Sequence, residues 1–212
     1  TAEQLFRNPD GEGSLDRRIE TEVERAIRMI EEHRPFTDIV EQLGILSHFV
    51  ALANNPLRTS DLDRWEYQYF DDYANYVDSA LERLPVIFYG LDAELERGNF
   101  PAFVETVLGR GRRLYPSIAA EYRRIGKLPG SRYFDDRSTA FGVSSVAYSR
   151  AISDVALVLR FVWIEAGGTD PRPAPREEEG RLLVVGGDPL GGAATATPEL
   201  ETPPLRYPTR ER

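Results

Sequence analysis

Cysteine does not occur among the 212 residues, which removes disulfides, zinc ribbons, thiol nucleophiles and covalent haem attachment from the possibilities. Histidine is nearly as scarce, with His33 and His48 the two in the chain. Lysine is represented by Lys127 alone among 26 basic residues. Positive charge is also outweighed, the formal net charge being −9. Proteins that hold nucleic acid need concentrated basic surface to meet the phosphate backbone. Here the arginines are scattered, and short clusters such as Arg110, Arg112 and Arg113 read as a solvated helix face. No nucleic-acid partner is therefore expected. No run approaches the ~20 apolar residues that span a bilayer, so no membrane span is expected. No secretory signal pattern is visible and the first residue is Thr1, so the chain is expected to be processed or a fragment of a longer precursor.

What is there reads as helix. The length exceeds that of a typical single domain and falls short of two, and a domain of the first ~165 residues could bury roughly 70% of its unfolded surface. Residues 1–14 are polar and glycine-containing, and read as an extended lead-in. From Asp16 to about His33, Val23, Ala26, Ile27 and Ile30 fall on one helical face. The next helix starts near Pro35, whose missing N–H costs nothing there, and runs to about Ala53. It carries Ile39, Leu43, Leu46 and Val50 on its core side, and Gly44, Ser47, His48 and Ala51 on a second face small enough for another helix to approach. A third begins near Ser60, with Asp61 and Asp63 in its first turn, where the helix dipole favours negative charge. Its expected buried stripe is Trp65, Tyr69, Tyr73, Tyr76 and Ala80, and Pro85 closes it. Two shorter helices are predicted around Pro101–Arg110 and Ser117–Gly126. A last one is predicted from about Ser138, prepared by Asp135 and Asp136, to Ala166. Ile152, Val155, Leu159, Val162 and Trp163 make one of its faces, and Leu157, Val158 and Phe161 extend the apolar surface nearly all round, as in a central helix of a bundle.

From Gly167 the composition changes: eight of fifteen prolines and seven of seventeen glycines lie in residues 167–212. Such a segment buries too little apolar surface to offset its own ordering entropy. Arg181, Leu182, Leu183, Val184 and Val185 form the one short strand candidate in it. The expected organisation is thus an all-α helical bundle over residues 15–168 with a long central C-terminal helix, between a lead-in at 1–14 and a Pro/Gly-rich tail at 169–212. The tail is expected to be ordered on other protein chains of a larger complex, with Arg181–Val185 adding to a partner's sheet edge.

The stretch Gly44 to Asp72, GILSHFVALANNPLRTSDLDRWEYQYFDD, carries the most specific pattern. Its helical Ser47-His48 followed by Pro56-Leu57 resembles the zinc-dependent phospholipase C and S1/P1 nuclease superfamily, where the segment reads roughly H-x-x-x-D-x-x-x-x-P-x-H, then H-x-x-x-E on the next helix. The VIFYG at 86–90 and the AFGVSSVAYSRAISDVALVLRFVWIEAGG at 140–168 are similar to its bacterial members, so the resemblance spans roughly residues 36–168. It implies a helical bundle holding three zinc ions through histidines, carboxylates and an N-terminal tryptophan, with a bridging water that attacks phosphorus. It also implies an extracytoplasmic, bacterial setting. Matched position by position, this sequence keeps His48. It then has Leu52 for the aspartate, Arg58 for the next histidine, and Gln68 and Asp72 for the histidine–glutamate pair, and Thr1 stands where the tryptophan would. An arginine in that place adds a fixed positive charge. The resemblance thus implies a retained scaffold with a lost metal site and no cofactor.

Other readings stand beside this one. His48 serves as a relic metal ligand, an axial haem ligand for a partner, or a hydrogen-bonded packing residue. His33 is most simply a partner for its helix C-terminus. Asp61, Asp63, Asp71 and Asp72 could make an oxygen-rich calcium site, although the glycine turn and terminal glutamate of a calcium loop are lacking. The expected function is a non-catalytic structural or interaction subunit. The alternatives are a diverged metal-dependent phosphoesterase using His48 and nearby carboxylates, and a lipid or small-ligand binder using the vacated cleft, made more apolar by Leu52.

Overall fold

In a computed structural model, residues 13–59 and 68–169 and the backbone of 184–185 are described. They contain helices α1 (Leu15–Glu31), α2 (Phe36–Ala53), α3 (Pro56–Thr59), α4 (Tyr69–Ala80), α5 (Ala93–Glu96), α6 (Phe100–Ile125) and α7 (Thr139–Glu165). Tight single turns occupy Leu81–Arg83 and Gly130–Tyr133, and two short strands are β1 (Val86–Ile87) and β2 (Val184–Val185). The all-α bundle is as expected, and α7 is its long C-terminal helix.

Helices α6 and α7 are the two long members, and they join two cores. Leu15, Ile19, Val23 and Ala26 of α1 and Leu46, Phe49 and Val50 of α2 pack with Phe103, Val104, Val107 and Leu108 of α6 and with Leu157, Val158, Phe161 and Val162 of α7. A second core sets Tyr69, Tyr73 and Tyr76 of α4 against Tyr115, Ile118 and Tyr122 of α6 and Ala140 and Val143 of α7. The early half of α6 therefore meets the late half of α7, and the reverse holds in the second core. The two long helices run antiparallel. The tyrosine stripe of α4 is core, as its spacing suggested, with Tyr69 and Tyr122 stacked at 4.2 Å between ring centroids.

Several expectations need correction. The two short helices predicted around Pro101–Arg110 and Ser117–Gly126 are one helix, α6, with Pro116 inside it. An interior proline costs about 3 kcal/mol in lost hydrogen bond and ring clash. Burial of Tyr115, Ile118, Ala119 and Tyr122 around it outweighs that, at about 1.5–3 kcal/mol for each large side chain. On α7 the buried set is Leu157, Val158, Phe161 and Val162, while Ile152, Val155 and Leu159 are half-buried and Trp163 is 48% exposed. A helix apolar nearly all round carries too little periodic contrast to point its own core face. Trp163 instead covers the chain's exit from the helix. Its indole N–H donates to the Thr169 carbonyl at 2.9 Å, and a Cβ on Gly168 would sit 2.2 Å from the ring.

Helix α2 is long and apolar enough to cross a membrane, the one helix among the described residues that is. It packs on α1, α3, α6 and α7 through Gln42, Leu46, Phe49, Val50 and Ala53, and leaves Phe36 and Val40 exposed. Its small face at Gly44, His48 and Ala51 is exposed too, and nothing lies within 4 Å of a Cβ built on Gly44. The close helix neighbour expected on that face is not found among the described residues.

Close approach occurs instead at Gly111. A Cβ there would stand 2.7 Å from Thr59 Oγ1 and 3.1 Å from the Ala53 carbonyl oxygen, whereas one on Gly109 meets nothing within 4 Å. Gly109→Ala is therefore expected to stabilise the fold by about 0.5–1 kcal/mol, the ordinary gain on removing a mid-helix glycine. Gly111→Ala should instead destabilise it by about 1–3 kcal/mol, because backbone has to move. Urea unfolding of the two variants checks this, and the same sign for both would contradict the packing described.

The strand region is built partly on side chains. Ser149 Oγ donates to the Pro85 carbonyl at 2.7 Å and accepts from the Ile87 N–H at 3.2 Å. Ser153 Oγ shares its one proton between the Ile87 carbonyl at 3.1 Å and the Ser149 carbonyl of its own helix at 2.9 Å, and accepts from the Tyr89 N–H at 3.2 Å. Two serines one turn apart on α7 thus act as a neighbouring strand for one edge of residues 85–89. The other edge pairs antiparallel with the tail, Val86 opposite Val185 and Ile87 opposite Val184. The tail residues expected to extend a partner's sheet edge pair, at Val184 and Val185, with an edge of their own chain. Arg181, Leu182 and Leu183 lie outside the described residues.

Candidate functional site

Helices α2, α4 and α7 leave a cleft of about 640 Å³ between them. Its first wall is the end of α2 and the turn after it, with His48, Ala51, Asn54, Asn55 and Pro56. The second is one face of α4 continued into the next turn, with Tyr73, Ala74, Val77, Asp78 and Leu81. The third is Ser144, Ala147, Tyr148 and Ala151 of α7, at the spacing of one helical stripe. The cleft exists because small side chains face one another there. Alanines from all three helices, at 51, 74, 147 and 151, occupy places where larger residues would close the bundle.

Polar groups around it fall into two kinds. Some are committed to the fold. The Tyr73 hydroxyl accepts from Ser144 Oγ at 3.0 Å, and Asn54 Nδ2 donates to the Val50 carbonyl at 3.2 Å and to Asp154 Oδ2 at 2.9 Å. Others face the opening. His48 is exposed, its ring edge-on to Phe49 at 5.5 Å, and Asp78 is exposed on the opposite wall. Among the described residues neither has a hydrogen-bond or ion-pair partner. Among the described residues no arginine or lysine lines the cleft.

Burial pushes the Tyr73 hydroxyl up to about 12, although the Ser144 hydroxyl that donates to it pulls the other way. A value above the ordinary 10.0 means the folded chain keeps a proton that the unfolded chain gives up. Its contribution is fully present below pH ~10 and is lost as pH climbs toward ~12. Unfolding free energy should therefore fall across that window, and Tyr73→Phe should make the fall shallower. An unchanged slope in the variant would contradict the burial of this hydroxyl.

The positions matched to metal ligands do not converge on the cleft. His48 alone lines it. Leu52 is half-buried and packs against the first core, so it does not make the cleft more apolar. Arg58 lies over the Phe70 ring at 3.7 Å, and burial lowers its pKa while Asp71 pulls in the opposite sense. Gln68 borders a different hollow with Arg123, Lys127 and Leu128. Asp72 is a hydrogen-bond clamp: Oδ2 accepts from the Ser131 N–H at 2.9 Å and from the Tyr122 hydroxyl at 2.8 Å, and Oδ1 accepts from Ser131 Oγ at 2.6 Å. Among the described residues no three His, Asp or Glu side chains come together. Of the four aspartates weighed as a calcium site, Asp61 and Asp63 lie outside the described residues, as does Trp65.

Two further readings meet their geometry. His33 has a left-handed backbone at φ 51 just past α1, and its Nδ1 stands 2.8 Å from the Glu31 carbonyl oxygen, as suits a helix C-terminus. Asp135 and Ser138 do open α7: Asp135 Oδ1 accepts from the Arg137 N–H at 2.9 Å, and Ser138 Oγ accepts from the Phe141 N–H at 3.2 Å.

Arg110 corrects the sequence reading. It was expected on a solvated face, but its Nη2 lies 2.9 Å from both oxygens of Asp154, with the two side chains 15% and 3% exposed. Arg112 likewise reaches the Thr59 carbonyl at 3.1 Å and Glu105 at 2.7 Å. Burial raises the Asp154 pKa, opposed by Arg110 and Asn54. This triad lies between the stretches of α6 and α7 that feed the two cores, directly behind the Asn54 wall of the cleft.

The fold and cleft define an all-α bundle with an open cleft at the junction of α2, α4 and α7. The chain matches no family model, and no curated protein or solved structure matches it.

Proposed function

We propose that this chain is a non-catalytic interaction subunit on a scaffold like that of the zinc-dependent phospholipases C and S1/P1 nucleases. The observation that carries this reading is the dispersal of the would-be ligand positions. His48 is at the cleft, Leu52 is against the core, Arg58 is on Phe70, Gln68 is at another hollow, and Asp72 is held by Ser131 and Tyr122. A zinc cluster needs several nitrogen and carboxylate donors within ~2.0–2.2 Å of each ion. A phosphodiester also needs positive charge near its oxygens, and among the described residues no arginine or lysine lines the cleft.

Protein partners are assigned to the tail, residues 169–212, including Arg181, Leu182 and Leu183. Deleting 170–212 should abolish assembly with those partners, and unchanged assembly would count against this part. The setting that goes with the scaffold is extracytoplasmic and bacterial.

The diverged-phosphoesterase reading is tested directly by hydrolysis of bis(p-nitrophenyl) phosphate with zinc supplied. The proposal expects a rate no different from that of His48→Ala. A zinc-dependent rate that His48→Ala abolishes would overturn it. A second reading, small-ligand binding, is favoured by the cleft itself, since its volume of about 640 Å³ falls in the range of ligand sites and its walls are mostly apolar with a few polar groups.

A further inference from the structure

We infer that the cleft between α2, α4 and α7 takes a cationic amphiphile, a ligand with an apolar body and an ammonium-type head. The inference rests on the second reading above, that the cleft is a binding site. Ala51, Ala74, Val77 and Ala147 offer walls on which an apolar body sheds water. Among the described residues of the lining, Asp78 is the one side chain of fixed charge. It is exposed at the opening, and among the described residues it has no ion-pair partner. An ammonium N–H donating to that carboxylate makes a charge-assisted hydrogen bond, stronger than a neutral one. The His48 imidazole across the opening carries a ring nitrogen lone pair that can accept a second N–H, and the Tyr148 ring adds a face that attracts cations. A phosphate or carboxylate head would meet Asp78 with no lysine or arginine among the described lining residues to offset the repulsion.

Calorimetric titration of the full chain with decylamine, 1-decanol and decanoate, at low salt and below micelle formation, tests this. The amine is expected to bind about five- to tenfold tighter than the alcohol, and decanoate weaker again. Asp78→Asn should reduce the amine to the affinity of the alcohol. Glu82→Gln, four residues on and outside the cleft lining, should change nothing. That variant separates a site from the general pull of a chain of net charge −9 on any cation. Ala51→Trp, at an exposed wall position, should abolish binding of all three. Equal affinities that Ala51→Trp abolishes would leave the cleft a binding site and overturn the cationic inference. Equal losses in Asp78→Asn and Glu82→Gln would overturn it in the same way. No binding, or amine binding that survives Ala51→Trp, would overturn the reading of the cleft as a site as well.

Discussion

Arg110→Ala is expected to lower the unfolding free energy by about 3–5 kcal/mol, the usual cost of removing one partner from a buried ion pair. The Asp154 carboxylate is 3% exposed and takes both of its short contacts to a cation from Arg110. Without them it keeps the Asn54 amide at 2.9 Å and little else to replace hydration. The remaining carboxyl answers by holding its proton. Burial already raises its pKa, and loss of the guanidinium raises it further. The folded variant then binds more protons than the unfolded chain, so its stability falls as pH rises above the ordinary carboxyl range, and the deficit is larger at pH ~7 than at pH ~4. The double variant Arg110→Met/Asp154→Leu should recover much of the loss, because a buried pair is often replaceable by apolar groups of similar size. Arg110 Nε is moreover buried with no hydrogen-bond partner among the described residues. Denaturant unfolding of the single and double variants at both pH values measures all of this. A loss under about 1 kcal/mol, the scale of a surface pair, would place Arg110 back on a solvated face.

Asp72→Ala is expected to cost about 2–4 kcal/mol with no metal present, since hydrogen bonds to a charged acceptor contribute about 1.5–3 kcal/mol each when buried and less when half-exposed. The loop at Gly130–Tyr133 is attached to α4 through the Ser131 N–H and hydroxyl. The Tyr122 hydroxyl loses its acceptor inside the second core, where that residue is 1% exposed. Gly130 shares the site, as a Cβ there would fall 2.7 Å from Tyr122 Cε1. Asp72→Asn keeps an acceptor oxygen and should lose roughly half as much. Comparing thermal unfolding with and without a strong chelator separates the two roles open to this residue. A clamp is indifferent to the chelator, whereas a metal ligand is not.

Local signals served where the physics is local. The amphipathic pattern of α1, the proline before α2 and the Asp135–Ser138 opening of α7 all depend on residues within a turn or two, and those helix bounds agree with the structure. Pro116 misled because its local cost is real, yet the burial that outweighs it comes from tyrosines and aliphatics whose partners are on α4 and α7. Arg110 misled for the same reason: beside Arg112 and Arg113 it reads as surface, and its partner lies 44 positions away. Asp72 was singled out by the resemblance, in the place of the glutamate of its histidine–glutamate pair, but its hydrogen bonds go to Tyr122 and to Ser131, 59 positions on, which no local pattern reaches. The cleft was legible only at His48. Its volume comes from alanines on three helices, and an alanine looks the same in sequence whether it faces a cleft or a close-packed neighbour. Asp78 sits on the second face of α4, four residues after Ala74, and an isolated carboxylate beside small side chains is the one signal that could have pointed to it.

The central claim is that His48 stands without companions able to complete a metal site. Dialysis of the purified chain against excess zinc, then against metal-free buffer, followed by metal analysis per chain, tests it most directly. The account predicts far less zinc than chain, the same in His48→Ala. Stoichiometric zinc that His48→Ala releases would contradict it.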